Sequence, residues 1–278
     1  MNKILIYGGG NMGLVYAKTI SEYYHAKDRV FIVEKREENL KKIKSLGFSC
    51  AKDIPENFYC YQYIILAVKP QDFPSIAPSL EKNIQENQWL ISIMAGISCE
   101  LIKENLNHKK IIRTMPNLAI PYKEGFTGFY ISSKSLLTEV EKESVLELLT
   151  LGGKILEVED ENDLNAITAL SGSGPAYFFY FVEQLQNAAI SKGFSKDQAK
   201  MIALQTLKGA LKVLENSEDT CETLIRKVSS RGGTTEAAFQ VFNEKKLGEN
   251  FIQGINRANE RSEEFGKELK NFILNKLL

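Results

Sequence analysis

The stretch that most constrains the fold is Lys3–Gly13, K-I-L-I-Y-G-G-G-N-M-G. An apolar run meets a glycine triplet, and a helical pattern follows to about Tyr24. Arg29–Val33 (R-V-F-I-V) then reads as a second strand, closed by Glu34. Short unbroken apolar runs are typical of strands covered on both faces in a parallel sheet. Strand, G-x-G-x-x-G turn, helix, strand and terminal acid are the parts of a dinucleotide-binding βαβ unit. The glycines serve different ends. Gly8 makes the tight turn, Gly10 lets the backbone approach a pyrophosphate, and Gly13 lets the helix pack close to the strand. Gly9, Asn11 and Met12 complete the loop. Alone, the loop leaves an ordinary glycine turn open; its flanking strands favour the nucleotide.

Glu34 bears on which dinucleotide is bound. A carboxylate there would accept from the ribose 2′-hydroxyl of NAD and repel the 2′-phosphate of NADP. A like-charge pair at about 4 Å costs roughly 4 kcal/mol at an effective dielectric near 20. Lys35 and Arg36 oppose this, since either could reach a 2′-phosphate. The expectation is NAD(P)H, leaning to NADH. A solvated helix start is the alternative reading of these three residues.

Strand and helix signals continue to alternate. A charged helix spans Glu37–Leu46, and Tyr63–Val68 is a third buried strand whose exit, Ala67-Val68-Lys69-Pro70, lies where ligands sit in open α/β sheets. Trp89–Ile93 leads to the small-residue exit Met94-Ala95-Gly96, with Ser98 as a helix cap. Two such exits in succession suggest a cofactor floor at Ala95 and Gly96; a tight turn is the plain alternative for each. Lys110–Met115 exits at Pro116-Asn117, Phe126–Ile131 can add an edge strand, Ser135–Thr150 a helix, and Gly152–Val158 a last strand. The expected fold is an α/β Rossmann domain over residues 1–160, doubly wound with a mostly parallel sheet.

Residues 161–278 carry helical periodicity only, so an all-α second domain follows. Its first long helix holds Tyr177-Phe178-Phe179-Tyr180-Phe181 in succession. A helix apolar on nearly all sides is buried on nearly all sides, which points to a homodimer or larger homo-oligomer; packing within one chain is the alternative. Lys227–Ala238 (K-V-S-S-R-G-G-T-T-E-A-A) gathers Ser229, Ser230, Thr234 and Thr235 around Arg231, Gly232 and Gly233. Such a loop presents backbone N–H groups at a helix start, a site for a carboxylate or phosphate. A serine or threonine cap with a glycine turn remains the plain alternative. Lys+Arg and Asp+Glu balance at 35 each, so no basic field invites nucleic acid or a membrane surface. Four scattered cysteines and two distant histidines make a metal site improbable and fit a reducing, cytoplasmic setting.

Six segments together resemble one family. They are G-G-G-N-M-G (8–13), L-A-V-K-P-Q (66–71), S-I-M-A-G-I-S (92–98), R-T-M-P-N (113–117), T-A-L-S-G-S-G-P-A-Y (168–177) and V-S-S-R-G-G-T-T-E-A (228–237). The chain resembles pyrroline-5-carboxylate reductase over its whole length. The resemblance implies a Rossmann domain followed by a helical dimerisation domain, and reduction of 1-pyrroline-5-carboxylate to proline. It implies that the Ser229–Thr235 loop holds the substrate carboxylate and that Thr235 bonds near the ring nitrogen. Gly8–Gly13, Ala67–Pro70, Ala95 and Gly96 would contact the nucleotide, with Pro116 and Asn117 near nicotinamide and substrate. Two departures stand out: Arg231 replaces a usual proline, and Gly13 a frequent alanine, the latter expected to be silent.

Reducing a cyclic imine needs a hydride at carbon and a proton at nitrogen. The imine is basic enough to be partly protonated near neutral pH, so no strong protein acid is essential, and positioning and electrostatics are what the protein must supply. Glu218 could orient the ring or relay protons; a surface acid is equally open. One rival is a related imine or β-hydroxyacid reductase, but the usual second-domain lysine is missing from Ser171–Tyr177. A catalytically silent dinucleotide-binding regulator is the other.

Overall fold

The computed structural model describes residues 3–277. Its strands are β1 (Lys3–Tyr7), β2 (Val30–Val33), β3 (Ser49–Ala51), β4 (Tyr61–Leu66), β5 (Trp89–Ser92), β6 (Ile111–Pro116), β7 (Gly125–Ile131) and β8 (Gly153–Glu157). Between them lie α1 (Asn11–Tyr24), α2 (Glu37–Ser45), α3 (Phe73–Asn83), α4 (Cys99–Leu106) and α5 (Glu139–Thr150). The strands form one sheet in the order β3-β2-β1-β4-β5-β6-β7-β8. Neighbours are parallel except β6 and β7, which are antiparallel. The expected Rossmann sheet is therefore present. Phe126–Ile131 is a correction: β7 is not an edge strand, because β8 pairs with its outer side. The short β3 adds a strand at the other edge; Ser49-Cys50-Ala51 is too brief to show a strand pattern in sequence.

Alternation along the strands builds two cores. Ile4 and Ile6 of β1 point into one face with Ala17, Ile20 and Val145; Leu5 and Tyr7 point into the other with Phe73, Leu80 and Ile102. Both faces are thus dry, as a parallel sheet requires. After β8 come α6 (Asp163–Ile167), a π-turn at Thr168–Gly172, then α7 (Gly174–Ser191), α8 (Lys196–Glu215), α9 (Cys221–Val228), α10 (Thr234–Glu244) and α11 (Leu247–Leu277).

The chain divides into two compact units. One unit runs to Gly172 and takes back the chain from Ala258 onward; the other is Ser173–Arg257. Two packings explain this. Leu164 and Ile167 of α6 bury against Met115, Phe126 and Tyr130, and Leu269 and Ile273 of α11 enter the second core. In the smaller unit α7 packs on α8, and Tyr177 and Phe181 meet Phe251 ring to ring. Phe178, Phe179 and Tyr180 stay more than half exposed in the single chain, at 56%, 60% and 58%. Large aromatic side chains left exposed on several sides of one helix mark an interaction surface.

Glu141 ties α5 to the sheet. Its carboxylate accepts from the Trp89 indole (2.9 Å), Lys110 (3.0 Å) and the Thr138 N–H (2.9 Å). Burial alone would raise this carboxyl, but the bonds from Thr138, Trp89 and Lys110 outweigh it and bring the pKa to about 2. A depressed carboxyl stabilises the fold above its unfolded value, and that contribution is lost as pH falls from about 4.5 towards 2. Glu141→Gln is therefore expected to lower stability at pH 7 by about 2 kcal/mol and to flatten the acid limb between about pH 5 and 2. Thermal melts of both proteins across that range check it.

Candidate active site

The first component is a cleft of about 690 Å³ at the carboxyl ends of β1 and β4. Sheet order reverses there, with β2 on one side of β1 and β4 on the other. Such a switch point is where open α/β sheets bind ligands. Gly8 has φ +110°, and a Cβ on it would lie 2.6 Å from the Ala67 carbonyl oxygen. Gly10 caps α1 without any side-chain cap bond, so the first N–H groups of the helix stay open to the cleft. Their partial positive charge suits a pyrophosphate. A Cβ on Gly13 would collide with the Gly8 carbonyl. The difference at Gly13 is thus not silent; it permits the close seat of α1 on the loop.

Gly8, Gly9, Gly10, Asn11, Met12, Glu34, Lys35, Arg36, Ala67, Val68 and Lys69 line this cleft, joined by Asn39, Lys42, Asp72 and Ile93. Pro70 opens a short helical turn and is not among the lining residues. Ala95 and Gly96 are not either. Gly96, at φ +75°, packs beneath α11, where a Cβ would stand 2.8 Å from Leu269 and 3.1 Å from Phe265. Its small size serves the return of the last helix, and Ile93 supplies the wall at the β5 exit.

Glu34 is 7% exposed and already occupied. Its Oε2 accepts from the Gly9 N–H (3.1 Å) and the Asn39 amide (2.8 Å); its Oε1 accepts from the Arg36 N–H (2.8 Å), with the Arg36 Nε at 3.5 Å. Burial pushes this carboxyl up, but the bonds from Arg36 and Asn39 and the Arg36 charge pull it below the ordinary range. Glu34 therefore clasps the glycine loop to the start of α2. Sequence reasoning missed Asn39, because its role depends on where the Glu34 carboxylate turns.

Pro116 is buried at the end of β6. Asn117 follows, its Oδ1 accepting from the N–H groups of Ala119 (3.1 Å) and Phe126 (3.3 Å), its Nδ2 donating to Ser171 (3.2 Å).

The second component lies in the smaller unit, between α9 and α10. Ser229 donates to the Ile225 carbonyl at 2.8 Å. Gly232 has φ +71°, and its N–H donates to Glu236 at 2.6 Å. The Gly233 N–H donates to the Ser230 carbonyl at 2.9 Å, and Gly233 caps α10 with no side-chain bond. Among the described residues the hydroxyls of Ser230, Thr234 and Thr235 meet no partner. Arg231 is exposed at the loop's tip. Glu218 is exposed; the carboxylate held near this loop is Asp219, which accepts from Lys227 and Ser217. The Lys227 bond, then the Ser217 bond, hold Asp219 below the usual range. The loop thus leaves three hydroxyls, on Ser230, Thr234 and Thr235, without a partner at a helix start, while its Ser229 hydroxyl and its Gly232 and Gly233 N–H groups are engaged internally.

A family model described as pyrroline-5-carboxylate reductase dimerisation matches residues 161–265, and one described as NADP oxidoreductase, coenzyme F420-dependent, matches residues 3–96. A pyrroline-5-carboxylate reductase of Aquifex aeolicus is 33% identical over 261 residues, covering 94% of this chain and 96% of its own. The chain belongs to the pyrroline-5-carboxylate reductase family. A solved pyrroline-5-carboxylate reductase from Coxiella burnetii matches with TM-score 0.84 and 28% identity, covering 95% of this chain and 98% of that one. A pyrroline carboxylate reductase of Plasmodium falciparum, solved with NADP bound, shares the fold at TM-score 0.83 and 24% identity, over 95% and 98% of the two chains. Membership makes the chain an oxidoreductase with a nicotinamide-dinucleotide fold, and its second half carries the family's dimerisation segment. Among the described residues no helix is long and apolar enough to cross a membrane.

Proposed function

We propose that this chain reduces 1-pyrroline-5-carboxylate to proline, the last step of proline biosynthesis, as a cytoplasmic homodimer or larger homo-oligomer. The observation that carries the reading is the pairing, in one chain, of an open glycine-loop cleft with a serine–glycine–threonine loop in which the hydroxyls of Ser230, Thr234 and Thr235 meet no partner among the described residues.

Gly8–Met12 and Ala67–Lys69 would hold the dinucleotide, with the α1 N-terminus on its pyrophosphate. A reduced nicotinamide, when bound, supplies the hydride. Backbone N–H groups and hydroxyls of Ser229–Thr235 bind the substrate carboxylate, and Arg231 adds a cationic fork. The Thr235 hydroxyl steadies the ring nitrogen, which arrives carrying its own proton. Glu218 is the proposed orienting or proton-relaying carboxylate. Since the imine supplies its proton, the chain's contribution is positioning and electrostatics.

Either dinucleotide is accepted, with NADH at least as effective as NADPH. Glu34 keeps a carboxylate near the ribose, and Arg36 partly cancels it. Following absorbance of NADH and NADPH with racemic pyrroline-5-carboxylate tests both points. The expected kcat/KM ratio, NADH over NADPH, lies between about one and ten, a span of about 1.4 kcal/mol. A clear NADPH preference overturns the cofactor reading, and no turnover with either dinucleotide overturns the function.

A further inference from the structure

Asn117 fixes the state of a neighbouring hydroxyl. Its Oδ1 takes two backbone N–H groups, from Ala119 and Phe126, so the amide has only one sensible orientation. The Nδ2 must then donate to Ser171 Oγ, at 3.2 Å. Ser171 is the acceptor, and its own hydrogen remains to be placed.

Elsewhere in this chain hydroxyls on helices return that hydrogen to a carbonyl three or four residues back. Ser21 does so to Lys18, Thr168 to Leu164 and Ser191 to Ala188. Ser171 does not; among the described residues its hydrogen meets no acceptor. It sits on the π-turn Thr168–Gly172, a local widening that recurs at functional sites. Gly172 holds that turn against β6, where a Cβ would lie 2.6 Å from the Met115 methyl.

Position says what the hydroxyl can serve. Along the carboxyl edge of the sheet come Glu34 after β2, the glycine loop after β1, Ala67 after β4 and Ile93 after β5. The exit of β6, with Asn117 and Ser171, is the next strand end in that series, outside the residues that line the cleft and away from the ribose end. A half-buried hydroxyl costs little while water reaches it and more once a ligand covers it.

We propose that Ser171, held by Asn117, donates a hydrogen bond to a carbonyl or carboxylate oxygen of the ligand at the nicotinamide end of the cleft. Two sources offer that oxygen, the nicotinamide carboxamide and the pyrroline carboxylate, and the inference rests on the function proposed above. The test compares Ser171→Ala and Ser171→Thr with the parent, using NADH titration without substrate and steady-state KM for pyrroline-5-carboxylate. Loss of the bond predicts a three- to tenfold weakening, about 0.65–1.4 kcal/mol, if the acceptor is the neutral carboxamide and about tenfold or more if it is the charged carboxylate, in the alanine variant, with near-parent behaviour in the threonine variant. A shift in the NADH dissociation constant assigns the carboxamide; a shift confined to the substrate KM assigns the carboxylate. If both stay within about twofold in an alanine variant that melts like the parent, or if threonine fails to restore the parent value, the inference falls. Should the alanine variant not fold, the threonine variant and Ser171→Cys, a weak donor, carry the same comparison. A parent that binds NADH but reduces no pyrroline-5-carboxylate overturns the function and leaves the NADH arm readable.

Discussion

Replacing Thr235 by valine is expected to cut kcat about a hundredfold while leaving NADH affinity within about a factor of two. The exchange keeps the β-branched shape and the start of α10 and removes only the hydroxyl. That hydroxyl meets no partner among the described residues, so the fold loses no internal bond with it. Its Oγ would accept from the protonated ring nitrogen, and a positioned hydrogen bond at the reacting centre is worth about 10²–10³ in turnover, or about 2.7–4 kcal/mol. Steady-state kinetics with saturating NADH, alongside NADH titration, measure both quantities. Turnover within threefold of the parent would remove Thr235 from the chemistry.

Gly8→Ala should weaken NADH binding by at least about a hundredfold. Two costs combine. The backbone stands at φ +110°, which costs a side-chain-bearing residue about 1–3 kcal/mol. The new Cβ would also press on the Ala67 carbonyl at 2.6 Å, and that carbonyl belongs to the β4 exit lining the same cleft. Relief means moving the glycine loop away from β4, which opens the pyrophosphate seat. Fluorescence titration reads the affinity, and circular dichroism confirms that the sheet persists. Binding within threefold of the parent would show that the loop tolerates a side chain there.

These effects rest on features of different legibility. The glycine loop and its flanking strands can be read directly, because the pattern is local: apolar run, turn, helix, acid. Loop Ser229–Thr235 is equally plain, as its hydroxyls and glycines are neighbours in sequence. Glu34 does end β2 as its position suggests, but nothing in the sequence shows that its oxygens fold back onto Gly9, Arg36 and Asn39. Asn117 is singled out by the family resemblance alone, and its bond to Ser171, 54 positions on, cannot be read from sequence. Gly96 looks like a cofactor floor because small residues at a strand exit suit a ring; its neighbour is Leu269, far along the chain. The edge position expected of β7 fails for the same reason, since pairing with β8 is a long-range choice.

The return of α11 to the nucleotide-binding unit has a bearing on biosynthesis of the chain itself. Leu269 and Ile273 stand roughly two hundred positions after Leu66, yet they sit in the same core as Leu5 and Leu66. On the ribosome, the earlier-made half waits with an oily seam open until residue 273 has emerged. Cutting the gene at the apparent junction would therefore yield a sticky fragment in place of a self-sufficient module.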